Sequence, residues 1–245
     1  MSLVTLAVLT LAAFLTSIIS AVVGMAGGVV LLSIMTVFLD LAVVVPVHGL
    51  VQLASNGTRG LSLWPHVEQR IIVPTLIGMP IGVFIAVRII QAVDNREIFL
   101  LLIAALIFYV LFKPKRLPPL KIPFWSFGLL AIVVGILTPL VGATGPLMAP
   151  FYLRDDLSKE TIVATKATAQ AYGHLLKLPA FLYLGFDYGA WAVLIGAMIL
   201  GVVVGTRYGV TLLARISERH FRFVFRAALF LAACRLVYKG VGAML

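Results

Sequence analysis

The sequence predicts an all-α, polytopic membrane protein of about eight transmembrane helices in two homologous repeats, with broken or re-entrant helices at two glycine clusters. Three observations predict it: the composition, the lengths of the apolar runs, and a polar pattern that recurs at a fixed offset. Of 245 residues, 62% are hydrophobic and 11% charged, and the mean hydropathy is +1.13. A soluble domain carries roughly 25% charged residues, and a fold of this size leaves much of its surface in water. Soluble enzymes, DNA-binding proteins and disordered regulators are therefore excluded. The net charge of +10 does not argue for nucleic acid, because the Lys and Arg residues lie in short loops and at segment ends with no basic arm. Topology and lipid headgroups account for them. The single cysteine, Cys234, leaves no intramolecular disulfide and no thiolate metal cluster.

Apolar stretches cover residues 3–23, 29–39, 41–63, 71–90 and 98–112, then 124–141, 147–153, 161–184, 190–213 and 221–241. The first has no positive n-region and no A-x-A-like cleavage site, so it reads as a retained span rather than a cleaved signal. Runs of about 18 to 24 residues read as spanning helices. The short pieces 29–39 and 147–153 cannot span alone, so they are re-entrant or belong to helices broken at the preceding glycines. Between the halves lies a linker, 113–123, with four basic residues and four prolines. The whole chain, 1–245, is one membrane transport domain: repeat one is 1–112 and repeat two is 124–245.

At an ungapped offset of 118, Gly24 falls on Gly142, Gly27 on Gly145, Gly28 on Pro146, Gln52 on Gln170 and Gly78 on Gly196. His48 pairs with Lys166, Asn56 with His174 and Arg59 with Lys177 in the same register. Such a series of polar matches inside apolar segments is the mark of a duplicated transporter build. Four crossings per half would orient both repeats alike, and an odd number would invert one; four per half is the expectation. In that reading one side holds Arg88, Arg96, Arg154, Lys159, Arg207, Arg215, Arg219 and Arg222. The other holds Arg59, Arg70, Lys113, Lys115, Arg116, Lys121, Lys177 and Lys239. The tally is even, so the positive-inside rule gives no orientation; the basic linker argues weakly for a cytoplasmic linker and termini.

All nine carboxylates lie in loops or at segment ends, so no acidic proton relay stands at mid-membrane. No H-E-x-x-H helix or dense metal-ligand cluster is present, and neither metal nor cofactor is expected. The informative groups are a doubled stripe. His48, Gln52, Asn56 and Arg59 share one helical face, and Lys166, Gln170, His174 and Lys177 repeat the spacing. Polar and cationic groups in apolar segments face a bundle interior or an aqueous cavity. Facing stripes would make a pocket of amides, imidazoles and cations without an internal anion, suited to a small anionic substrate. The competing reading is interhelical hydrogen bonding, with the outer cations snorkelling to the interface. Gly27, Gly28, Thr144 and Gly145 join the candidates, because a helix broken at glycine exposes backbone N–H groups at an electropositive N-terminus. His48 and His174 are the mid-span groups able to carry a proton near neutral pH. Gly78-x-x-x-Gly82 and Gly201-x-x-x-Gly205-x-x-x-Gly209 read as packing faces.

With the clusters GMAGG at 24–28 and GATGP at 142–146, the Ala164-Thr165 region, the polar helix after it and the basic central linker, the chain resembles the TauE/SafE (sulfite exporter, TSUP) family over nearly its whole length. Against the family pattern, the first half lacks the proline that follows the cluster, while Pro150 supplies it in the second. The resemblance implies a multi-pass secondary transporter of the bacterial inner membrane, moving sulfur-containing anions such as sulfite, sulfonates or sulfoacetate. The expected partners are that small anion and membrane lipids, with room for a homodimer and no nucleic acid. An intramembrane enzyme acting on a lipid headgroup is the alternative, and it lacks an evident nucleophile–base pair or metal site.

Overall fold

The computed structural model describes residues 2–24, 27–92 and 121–242. Among them all regular structure is helical: α1 Leu3–Val23, α2 Gly27–Phe38, α3 Leu41–Ser62, α4 Gln69–Ala92, α5 Phe127–Val141, α6 Gly145–Tyr152, α7 Lys159–Tyr183, α8 Ala192–Arg215 and α9 Glu218–Gly242. Four helices, counted with their 3-10 lead-ins, are long and apolar enough to cross a membrane: α1, α4, 124–141 and 189–215. Helices α3 and α7 are as long but carry the polar stripes. The expected segment 98–112 and most of the linker lie outside the described residues.

The two short pieces are helices, as expected, and each folds back on the helix before it. The cause is a glycine that ends that helix with positive φ, Gly24 at 77° and Gly142 at 85°, a conformation that L side chains adopt only at a cost. The chain re-enters helix at Gly27, packed so close to α1 that a methyl there would strike the Thr16 carbonyl. Thr5 near the start of α1, Phe38 at the end of α2 and Trp191 before α8 line one shallow groove, so the α1–α2 hairpin opens at that end of the bundle. The α5–α6 hairpin opens at the other. There the Arg154 guanidinium donates to the Ile122 carbonyl (2.7 Å) and stacks 4.5 Å from the Phe124 ring, which Arg70 also covers at 4.3 Å. Arg222 reaches Asp155 and the Leu157 carbonyl on the same face, and Lys159 donates to the Ile216 carbonyl.

This placement departs from two sequence expectations. First, Arg154, Lys159, Arg219 and Arg222 share an end with Arg70 and Lys121, whereas the even tally set them on opposite sides. A hairpin that enters and leaves by one face adds no net crossing, so everything after it changes sides relative to the eight-span count. Second, α3 and α7 run antiparallel: Gly49 packs on Lys177 and Gly60 on Thr168. Four crossings per half would have made them parallel.

Glycine seams join each hairpin to the other half. Gly201, Gly205 and Gly209 of α8 meet the backbone of Thr10, Phe14 and Ile18 in α1, and Gly78 and Gly82 of α4 meet Gly128 and Ile132 in α5. The small-residue motifs are packing faces, as expected. Gly128 and Ile132 stand 118 after Thr10 and Phe14, whereas Gly201 and Gly205, which meet the α1 pair, stand 123 after Gly78 and Gly82, which meet the α5 pair. The spacing between like contacts thus widens from 118 to 123 beyond α7, which takes Gly196 out of the register expected for Gly78. The shift arises because α7 and its following turn are longer than α3 and its turn.

Candidate functional site

The tips of the two hairpins meet mid-bundle against the centres of α3 and α7. Between them lies a cavity lined by Ser20, Gly28, Val29, His48, Gln52, Asn56, Ala143, Gly145, Pro146, Gln170 and His174. Its free volume is about 20 Å³, room for about one water. A ligand of several heavy atoms needs the walls to part.

Seven sequence candidates line this cavity: Gly28, His48, Gln52, Asn56, Gly145, Gln170 and His174. The 4, 4, 3 spacing brings the α3 stripe to one face, and antiparallel packing turns the α7 stripe toward it. His48 Nε2 donates to the Gly28 carbonyl at 2.8 Å, and the His48 and His174 rings meet edge to face at 6.1 Å. Nδ1 of each ring is buried without a hydrogen-bond partner. The short helices begin against the glutamines: a methyl at Gly28 would lie 3.3 Å from the Gln52 amide, and one at Gly145 3.2 Å from Gln170 Nε2.

The other five candidates stand behind the wall. Arg59 donates to Asn56 Oδ1 (3.3 Å) and Ser55 Oγ (3.4 Å), while its Nε has no partner. Lys166 donates to the Gly24 carbonyl (2.7 Å) and Gln170 Oε1 (3.3 Å). Lys177 donates to the Gly142 carbonyl at 2.8 Å. The Thr144 hydroxyl bonds that of Thr138, and Gly27 serves the close approach of α2 to α1. Arg59, Lys166 and Lys177 are 0–1% exposed, and among the described residues no Asp or Glu is buried and none pairs with them. Taking an ion from water costs several kcal/mol even after relaxation. Three such cations around one cavity, held by neutral oxygens, leave a positive field with no internal counterion.

Ser20 was missed by sequence reasoning. It lies in an apolar helix whose hydroxyls read as back-bonding to the preceding turn. The signal was present, since Ser20 falls on Thr138 at the offset of 118, and Thr138 also reaches the site through Thr144. Among the described residues no group of three His, Cys, Asp or Glu side chains could hold a metal.

A family model described as Sulfite exporter TauE/SafE matches residues 9–236. No curated protein and no solved structure gives a significant match.

Proposed function

The chain belongs to the TauE/SafE sulfite exporter family, and on that premise we propose that it is a secondary transporter moving a small organosulfur anion, of the sulfonate, sulfoacetate or sulfite class, across the bacterial inner membrane. The observation that carries this reading is the small cavity between the hairpin tips, walled by neutral donors and backed by Arg59, Lys166 and Lys177, with no buried carboxylate among the described residues. A positive field without an internal anion favours an anion from outside, and the apolar surround strengthens that field.

The architecture supports alternating access between the two repeats. Hairpins opening at opposite ends, with α3 and α7 antiparallel, are what an inverted repeat would produce. Rocking one hairpin away from its seam would open the cavity to its own side while the other stays shut. Gln52, Asn56, Gln170 and His174 then bind substrate, the N-termini at Gly28 and Gly145 add backbone donors, and the histidines couple proton movement to transport.

Uptake of labelled sulfite, sulfonates and phosphonates into proteoliposomes tests the proposal. The expected result is saturable flux of a sulfur oxyanion that fails when the cavity residues are replaced. A folded, reconstituted protein that neither binds nor moves any small anion would sink it.

A further inference from the structure

The cavity wall is neutral while the buried cations Arg59, Lys166 and Lys177 stand behind it, and the hydrogen bonds linking the two layers have a forced direction. Arginine and lysine can only donate. Arg59 therefore makes Asn56 Oδ1 the acceptor, which leaves Asn56 Nδ2 to donate to Gln52 Oε1 at 3.3 Å. With its oxygen taken, Gln52 has its NH2 group left for the cavity. On the opposite wall Lys166 takes Gln170 Oε1, and Gln170 Nε2 is the atom nearest the start of α6 at Gly145. Two chains of different length, one from each half, thus end in the same way, on a cavity-lining glutamine whose NH2 group they leave unused.

We propose that Arg59 and Lys166 are positioning residues: they fix the Gln52 and Gln170 amides with their NH2 groups toward the substrate, and the anion is bound by those neutral donors rather than by the cations. This rests on the anion-site reading above and deepens it. A guanidinium or ammonium in direct contact would hold an oxyanion tightly. An amide polarised from behind selects for a strong hydrogen-bond acceptor while leaving the anion free to depart, which a transporter needs.

The test uses the full-length protein in nanodiscs and equilibrium binding of two singly charged anions, methanesulfonate, a strong acceptor, and perchlorate, a weak one. Arg59→Met and Lys166→Met replace buried cations by apolar chains of similar length, a change that commonly preserves folding. Each is expected to weaken both anions through the lost charge and methanesulfonate about tenfold more than perchlorate, so that the preference between them falls. In an Asn56→Leu background, which cuts the chain, Arg59→Met should cost almost no further preference; Lys166→Met should behave likewise with Gln170→Leu. An equal loss of both anions, or an undiminished Arg59→Met loss of preference on Asn56→Leu, would mean that the cation acts on the anion through its charge and not through the amide, and overturns the proposal while leaving the anion site standing. Should wild type bind neither of these nor any other small anion, both readings fall together. The Lys166 arm decides the matter if Asn56→Leu does not fold.

Discussion

Lys177 and the two histidines carry the residue-scale consequences. The Lys177 ammonium is fully buried and donates to the carbonyl of Gly142, the residue where α5 breaks. Removing the charge relieves a desolvation cost but releases the hairpin tip and reduces the field at the cavity. Lys177→Met is therefore expected to retain or raise the melting temperature in detergent while lowering transport at least tenfold; a variant transporting like wild type would remove Lys177 from the site. His48 and His174 meet edge to face with unpartnered Nδ1 atoms beside the cavity. If they move the coupled proton, the His48→Ala, His174→Ala double variant transports with its pH dependence flattened, as measured by flux across imposed pH gradients. An unchanged profile would end the coupling idea. The stripe was legible in the sequence because polar groups are costly in apolar helices. Its division into a neutral wall and a cationic backing was not, because residues sharing one helical face differ in depth only once the opposing helix is placed.

At the scale of elements, the breaks and the polar end of the bundle make different predictions. Gly142 has φ 85° and a methyl there would also lie 3.1 Å from Leu32 Cδ1. Gly142→Ala is expected to cost about 1–2 kcal/mol from backbone strain, read as a lower melting temperature. The same substitution at Gly196, which has open space around it and lies inside α8, should be neutral or slightly stabilising. Equal effects at the two positions would deny that the break is conformationally demanding. At the end where the α5–α6 hairpin opens, Arg154 grips Asp156 with 3.0 and 2.9 Å bonds and holds its carboxyl at about 2, below the usual 3.8. A carboxyl with a depressed pKa contributes stability above the unfolded value, and that contribution is lost as pH falls toward about 2. Asp156→Asn should thus destabilise the protein near neutral pH by under about 1 kcal/mol for so exposed a pair, read as a lower melting temperature, with the difference from wild type shrinking between pH 4 and pH 2. Helix extents were readable from apolar run length alone. That a short helix turns back rather than continuing was left open, since glycine licenses both and only its partner helix decides.

Taken whole, the molecule acquires an orientation that its residue count withheld. The even tally of basic residues depended on runs 3–23 and 29–39, and likewise 124–141 and 147–153, together making one net crossing. Once the hairpins return to the face they left, Arg70, Lys121, Arg154, Lys159, Arg219 and Arg222 fall at one end, joined by the contacts around Phe124, Asp155 and Ile216. The opposite loops, 39–40 and 184–191, contain Asp40 and Asp187 and no lysine or arginine. Short loops rich in Lys and Arg stay in the cytoplasm, so the end bearing Lys121 and Arg154 should be cytoplasmic, as expected of the linker. Helix α1 begins at the other end, beside Trp191, so the N-terminus falls outside, contrary to the expected cytoplasmic termini. Two exposed positions report on this: Asp155 beside Arg222, and Asp187 in the turn before α8. In a Cys234→Ser background, which removes the native exposed thiol, Asp187→Cys should react with a membrane-impermeant maleimide added to intact cells. Asp155→Cys should react only in inverted vesicles. Exchange of the two patterns would keep the fold and reverse its insertion. Labelling of both positions from one side would contradict the crossing of α7 between them, and with it the opposed hairpins on which the proposed alternating access depends.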